Sequence, residues 1–184
     1  MFAAFRSNRD QDAAVLAYGR VVAQARRPEF FLNADIPDTI DGRFELICLH
    51  AFLYLHRLKR EPQASVLGQR FFDLMFADFD RSLREMGTGD LSVGREVKRM
   101  AQSFYGRIAA YEEGLKADES VLQAALRRNL YGTTQPSESA VAAMATYLRH
   151  EVAGLHRQSA AALQNGDIAF GTPPAANPEP ADPR

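Results

Sequence analysis

Cysteine is almost missing from this chain: Cys48 stands alone among 184 residues. A single thiol forms no intrachain disulfide and no multi-cysteine zinc site, and the pattern fits a reducing compartment. Cys48 sits in the apolar run Leu46-Ile47-Cys48-Leu49, where burial raises a thiol pKa and makes it inert. Trp is absent, and twelve Phe take its place as bulky core filler. Neither sign of charge is in excess, with a net charge of −1. Nucleic-acid binders usually carry a strongly basic domain, so no direct nucleic-acid contact is expected. Long apolar runs are missing too. The richest, Phe44 to Leu55, is broken by Glu45 and His50 and falls short of the ~20 residues a spanning helix needs. Met1-Phe2-Ala3-Ala4-Phe5-Arg6 lacks the apolar core of a signal peptide. Phe2 and Phe5 beside Arg6 and Arg9 form too short a segment to hold a membrane surface alone.

What the chain does hold is helical periodicity. Hydrophobic residues make up 46% and charged residues 24%, an ordinary balance for one globular domain with a real core. Apolar spacing predicts an all-α fold, a single compact bundle of about six helices. The first helix is expected from about Asp10 to Ala25, with Val15, Tyr18, Val22 and Ala25 on one face. Pro28 ends it, and Glu29-Phe30-Phe31-Leu32 makes an apolar connector whose Phe pair locks onto the core. Asp38 or Thr39 caps a second helix whose stripe Ile40, Phe44, Ile47, Ala51, Leu55 and Leu58 is broadened by Leu46, Leu49 and Leu53. A helix apolar nearly all round belongs at the centre. Ser65 caps a third, reaching about Glu85; Ser92 caps a fourth, reaching about Lys116. A fifth runs from Asp118 to about Leu130, and Ser137 caps a sixth through Leu155. Residues 1–9 read as a flexible N-terminus and 10–164 as the helical domain. Past Asn165, Pro173, Pro174, Pro178, Pro180 and Pro183 make up more than half of the nine prolines. Low apolar content there predicts a disordered tail over 165–184.

Catalytic and metal signatures do not assemble. His50/His56 and His150/His156 are each six residues apart, about 240° around a helix, so neither pair shares a face. His56 and His150 lie among arginines and read as solvated. Neither HExxH nor Gly-x-Ser-x-Gly occurs, and Gly87-Thr88-Gly89 lacks the Gly-Lys-[Ser/Thr] of a phosphate loop. No catalytic, cofactor or metal residue is assigned, although Asp41, Glu85, Asp90 and Tyr105 together define a rival acid–base reading.

The charged corner Arg84-Glu85-Met86-Gly87-Thr88-Gly89-Asp90 stands out, because Gly87 and Gly89 permit positive φ between two strongly striped helices. Arg84, Glu85, Asp90, Arg95 and Lys98 crowd that corner, and Asp41, Arg43 and Glu45 join it if the helices pack as a bundle. Aromatic Phe71, Phe72, Phe76 and Phe79, with the flexible Met75, Met86 and Met100, supply an apolar groove for adaptable contacts.

Asp41-Gly42-Arg43-Phe44-Glu45, Glu85-Met86-Gly87-Thr88-Gly89-Asp90-Leu91 and Phe104-Tyr105-Gly106-Arg107 resemble the ubiquinol–cytochrome c reductase chaperone family. The likeness covers roughly Asp38 to Tyr111, about half the chain. The resemblance implies a mostly helical, non-enzymatic protein without cofactor that helps newly made cytochrome b into the respiratory complex. Its implied partners are cytochrome b or its nascent chain and a small second assembly factor, with peripheral membrane contact open. Long N-terminal import extensions mark mitochondrial members; none is seen here, so a bacterial protein of the cytoplasm, peripheral at the inner membrane, is expected. The partner-binding residues are then Asp41, Arg43, Glu45, Phe72, Met75, Phe76, Glu85, Met86, Gly87, Gly89, Asp90, Arg95, Lys98, Tyr105 and Arg107. The competing expectation is a lipid- or quinone-binding helical module that meets the membrane through its aromatic face.

Overall fold

The computed structural model describes residues 2–175, with side chains from residue 8 onward except that of Leu91. Six long helices dominate: α1 (Phe2–Ala25), α3 (Ile40–Leu58), α4 (Ser65–Glu85), α5 (Asp90–Lys116), α6 (Glu119–Asn129) and α7 (Glu138–Arg157). Two short ones, α2 (Glu29–Asn33) and α8 (Ala160–Gln164), fill connections, and no strand occurs among the described residues. α1 packs on α3 and α4, α5 on α4 and α6, and α7 on α3 and α6.

The centre is α3. Every residue from Cys48 to Tyr54 is buried, as the all-round apolar pattern predicts. Thr39 caps it, its Oγ1 accepting from the Gly42 amide at 3.2 Å. Gly42 is required there because a Cβ would lie 2.0 Å from the Pro37 carbonyl oxygen. At the start of α7 the Ser137 side chain accepts from the Ala140 amide, as expected of a cap. Its own amide and hydroxyl donate to Asp35 at 2.9 and 2.7 Å, tying the α2–α3 loop to that corner.

Several boundaries differ from expectation. α1 is helical from Phe2, not from Asp10, and its buried face is Ala14, Ala17, Tyr18, Val21 and Ala25, while Val15 is 53% exposed. Small side chains let α1 lie close on its neighbours, so the larger Val15 is not needed at the contact. Ser65 is not a cap; a 3-10 turn over Pro62–Ala64 leads into α4. Neither is Ser92, since α5 already starts at Asp90 behind Gly89. Phe30 is fully buried, edge-on to His50 and Tyr147 at 5.3 Å each. His56 is not solvated: its ring tilts against Phe52 and faces Glu112.

The ordered fold also continues past Asn165. Ile168 is buried, Phe170 meets the His50 ring edge-on at 5.2 Å, and Gln158 brackets Ala169 with two hydrogen bonds. The Gly171 amide donates to the Glu151 carboxylate at 2.9 and 3.0 Å, and Asn33 Nδ2 donates to the Pro174 carbonyl at 3.1 Å. Residues 166–174 thus form a strap held by polar side chains, which an apolar count does not register. Residues 176–184 of the expected tail lie outside the described residues.

Beneath the strap runs a buried polar chain. Gln24 Nε2 donates to the Tyr147 hydroxyl and to the Gly171 carbonyl, both at 2.9 Å. The Tyr147 hydroxyl lies 2.8 Å from His50 Nε2, and His50 Nδ1 lies 2.7 Å from the Leu46 carbonyl. A carbonyl only accepts, so Nδ1 carries the proton and Nε2 accepts from Tyr147. Burial pulls the His50 pKa down to about 4. Between about 4 and 6.5 the unfolded chain takes up a proton that the folded chain refuses. The His50 contribution is therefore complete above pH ~6.5 and is lost on acidification toward pH ~4, by up to ~1.4 kcal/mol per pH unit. Urea denaturation across that range should show this slope in the native protein and its loss in His50→Gln, the difference isolating His50 from the carboxylates.

Candidate functional site: an amphipathic groove at the α3 N-terminus

The first turns of α3 emerge from the core into an open cavity of about 810 Å3 walled by α4, α5 and the loop after α6. Its apolar lining is Ile40, Phe44, Ile47, Phe79, Leu83, Met86 and Met100. Phe44 and Phe79 pack edge-on at 5.0 Å, an arrangement favoured by the ring quadrupoles. The Arg107 guanidinium stands over the Phe44 ring at 5.6 Å and forms a two-point pair with Glu45, Nε to Oε2 at 2.7 Å and Nη2 to Oε1. This pair bridges α3 and α5, with only 14% of each side chain exposed. Burial pushes the Glu45 carboxyl above its ordinary range, and the pull of Arg107 does not fully offset it.

The two charged sequence blocks do meet in this cavity. Asp41, Arg43 and Glu45 from α3 share its lining with Glu85, Met86 and Arg107. Arg43 is tied to Asp38 at 2.6 Å, whereas the Asp41 and Glu85 side chains carry no ion pair among the described residues. Of the glycine corner, Glu85 and Met86 line the cavity, while Gly87, Thr88 and Gly89 lie outside its lining. Gly87 has φ +86°, a left-handed conformation that stops α4. Gly89 does not share it: φ is −63°, and its carbonyl accepts the Ser92 and Val93 amides at the start of α5. Arg84 braces the corner by pairing with Asp80 at 2.6 Å and with Asp90. Arg95 and Lys98 are exposed on α5 away from the cavity lining.

An aromatic chain leads from the cavity to the surface, through Phe79, Phe76, Phe72 and Tyr105 at successive centroid distances of 5.4, 4.5 and 5.5 Å. Tyr105 is 59% exposed. Phe71 is fully buried and does not belong to this face, and neither does Met75. The latter is fully buried on the inner side of α4, so its expected role as an adaptable surface contact is corrected. The helical period places it near Phe71 and Phe79, and packing against the bundle interior decides its side.

Sequence reasoning missed the far wall, made by Arg26 from the end of α1 and by Arg128, Asn129, Gly132 and Thr133 around the end of α6. No motif marks these positions, and only tertiary packing brings them opposite α3. Asp41 and Glu85 line the cavity while Asp90 and Tyr105 lie outside it, so the four acid–base candidates do not converge. Among the described residues no three His, Cys, Asp or Glu side chains come together as a metal site. No helix among them is long and apolar enough to cross a membrane.

The arrangement is an all-helical fold with an open, apolar-floored and charge-rimmed groove. Residues 33–170 match the family model described as Ubiquinol-cytochrome C chaperone, and the chain belongs to that family. The Ubiquinol-cytochrome-c reductase complex assembly factor 1 of Xenopus laevis is 29% identical over 141 residues, covering 76% of this chain and 70% of that protein. The Homo sapiens protein of that name is 28% identical, and the chain spans only 47% of its length. The crystal structure of the Cbp3 homolog from Brucella abortus superposes with a TM-score of 0.82 at 36% identity, covering 93% of this chain and 95% of that one.

The Glu45–Arg107 bridge yields a specific expectation. Arg107→Met leaves a half-buried carboxylate unpaired and should cost about 3 kcal/mol in urea denaturation at neutral pH. Replacing both partners, Glu45→Met with Arg107→Met, should cost less than the single change. Because an unpaired Glu45 binds a proton more readily when folded, the single variant's deficit should shrink as pH falls.

Proposed function

We propose that this protein is a non-enzymatic assembly chaperone that holds newly made cytochrome b during biogenesis of the ubiquinol–cytochrome c reductase complex. The observation that carries the reading is the groove in which Asp41–Glu45 and Glu85–Arg107 meet. Membership of the chaperone family and the names of its relatives support it. A membrane-protein helix before insertion exposes apolar side chains that end in charged loops. The Phe44, Phe79 and Met86 floor suits such a helix, and Asp41, Glu85 and Arg128, which have no ion-pair partner among the described residues, suit its charged ends. Methionine and aromatic side chains adapt to varied apolar partners without demanding one sequence. A peripheral position at the cytoplasmic face of a bacterial inner membrane, where the client is inserted, goes with this reading.

Ile40 and Met86 are 66% and 51% exposed, so changing them leaves the core untouched. Ile40→Glu with Met86→Glu should lower assembled cytochrome b, read from haem-b spectra, with its transcript and the variant's melting temperature unchanged. A photo-crosslinker at position 43 or 86 should capture cytochrome b during its synthesis, and one at 98 should capture far less. Normal haem-b spectra in the groove variant and in a deletion strain would end the proposal.

A further inference from the structure

The other end of α3 carries a second hollow, of about 360 Å3, where α3, α5 and α7 finish. That is near the lower bound of small-ligand pockets, roughly 300 to 1,000 Å3. Its charged and imidazole lining comprises His56, Arg60, Glu112, Lys116, Arg149 and His156. Glu112, the sole acid, is already matched by Lys59 Nζ, which donates to its two oxygens at 3.1 and 3.4 Å. His56 Nδ1 lies 3.4 Å from the same carboxylate.

Helix C-termini ordinarily repel anions because their carbonyls point outward. Here those carbonyls are covered. Arg149 donates to Leu115, Gly114 and Ala117 oxygens at 3.2, 3.3 and 3.4 Å, and its Nε to Glu119 at 2.9 Å. Arg57 Nε donates to the Leu155 carbonyl at 3.1 Å, and Nη1 pairs with Glu61 at 2.8 Å. Three donors are left over, one from each helix end. Arg60 and Lys116 are exposed and have no acidic partner among the described residues. His156 Nε2 is buried without a hydrogen-bond partner, a state that native structures rarely leave unexplained.

We propose that this hollow binds a phosphate-bearing ligand, held by Arg60, Lys116 and His156 Nε2, the phosphate being either free or the headgroup of an anionic lipid. A tetrahedral phosphate offers acceptor oxygens in several directions, which suits donors converging from three helices. Along α3, Arg43 and Lys59 are sixteen residues apart, about 24 Å at 1.5 Å per residue, so occupancy leaves the groove free. The site therefore stands apart from the client reading. Binding also takes up a proton. His156 shares the hollow with His56 and Arg60 from the α3 end, Glu112 and Lys116 from α5, and Arg149 on its own helix, and it feels the charge of Arg57. Burial and then the positive charge of Arg60, His56 and Arg57 hold its pKa below the usual histidine range. A bound anion offsets that charge and so favours the protonated imidazole.

The test uses the full chain in two arms. Calorimetry measures inorganic phosphate at about pH 6 and about pH 7.5, and flotation uses phosphatidylcholine vesicles with and without roughly one-third phosphatidylglycerol. Binding is expected in at least one arm, with Arg60→Glu plus Lys116→Glu weakening it tenfold or more. Both positions are exposed, and unchanged helical circular dichroism and melting temperature verify the fold. Phosphate binding alone identifies the free anion, and binding to the anionic vesicles identifies the headgroup. No binding in either arm overturns the proposal. So does undiminished binding by the double variant, or an equal loss in the control Arg20→Glu plus Arg81→Glu, which marks generic charge attraction.

Discussion

The constraint on which the rest depends is that α3 has no face left for water over its middle. From Cys48 to Tyr54 every side chain is buried, and each fully buried Leu or Phe contributes about 1.5–3 kcal/mol. Such a helix forms only if others surround it, which sets the places of α1, α4, α5 and α7. It also leaves just two parts of α3 able to meet anything else, its ends. The N-terminal end carries Asp41, Arg43 and Glu45 into the groove, and the C-terminal end carries His56 and Arg60 into the basic hollow. A buried axle with two accessible ends is a direct result of the hydrophobic pattern.

Polar groups within that core act as registration marks. Glu45 and Arg107 fix where α5 lies along α3, because a half-buried carboxylate tolerates little displacement of its partner. His50, Tyr147, Gln24 and Gly171 similarly fix α1, α7 and the strap around the centre. Apolar contacts alone would permit sliding, whereas each of these hydrogen bonds has one correct distance.

Much of this was legible in the chain itself. The period of α3, α4 and α5 and the caps at Thr39 and Ser137 follow from local rules, and the charged blocks were visible as strings. Gly42 looked like part of a recognition string; its place is dictated by the Pro37 carbonyl pressing on the helix. What could not be read depends on contacts between remote segments. The choice of alanines over Val15 for the inner face of α1 is made by close helix approach, and Met75 faces inward because α4 has two apolar sides. The α6 wall of the groove and the strap over 166–174 come from residues with no pattern of their own. Each is placed by hydrogen bonds or packing to partners far away in sequence.

The strap has a consequence for how the molecule is made. Gln24 is translated early, yet one of its two hydrogen bonds goes to Gly171, and Asn33 must wait for Pro174. Glu151 likewise keeps a buried carboxylate short of its amide partner until Gly171 has emerged. The polar interior therefore stays open until residues 171–174 have left the ribosome. Helices α1 to α7 can gather around α3 before then, but the hydrogen bonds of Gln24, Asn33 and Glu151 close only when the strap arrives.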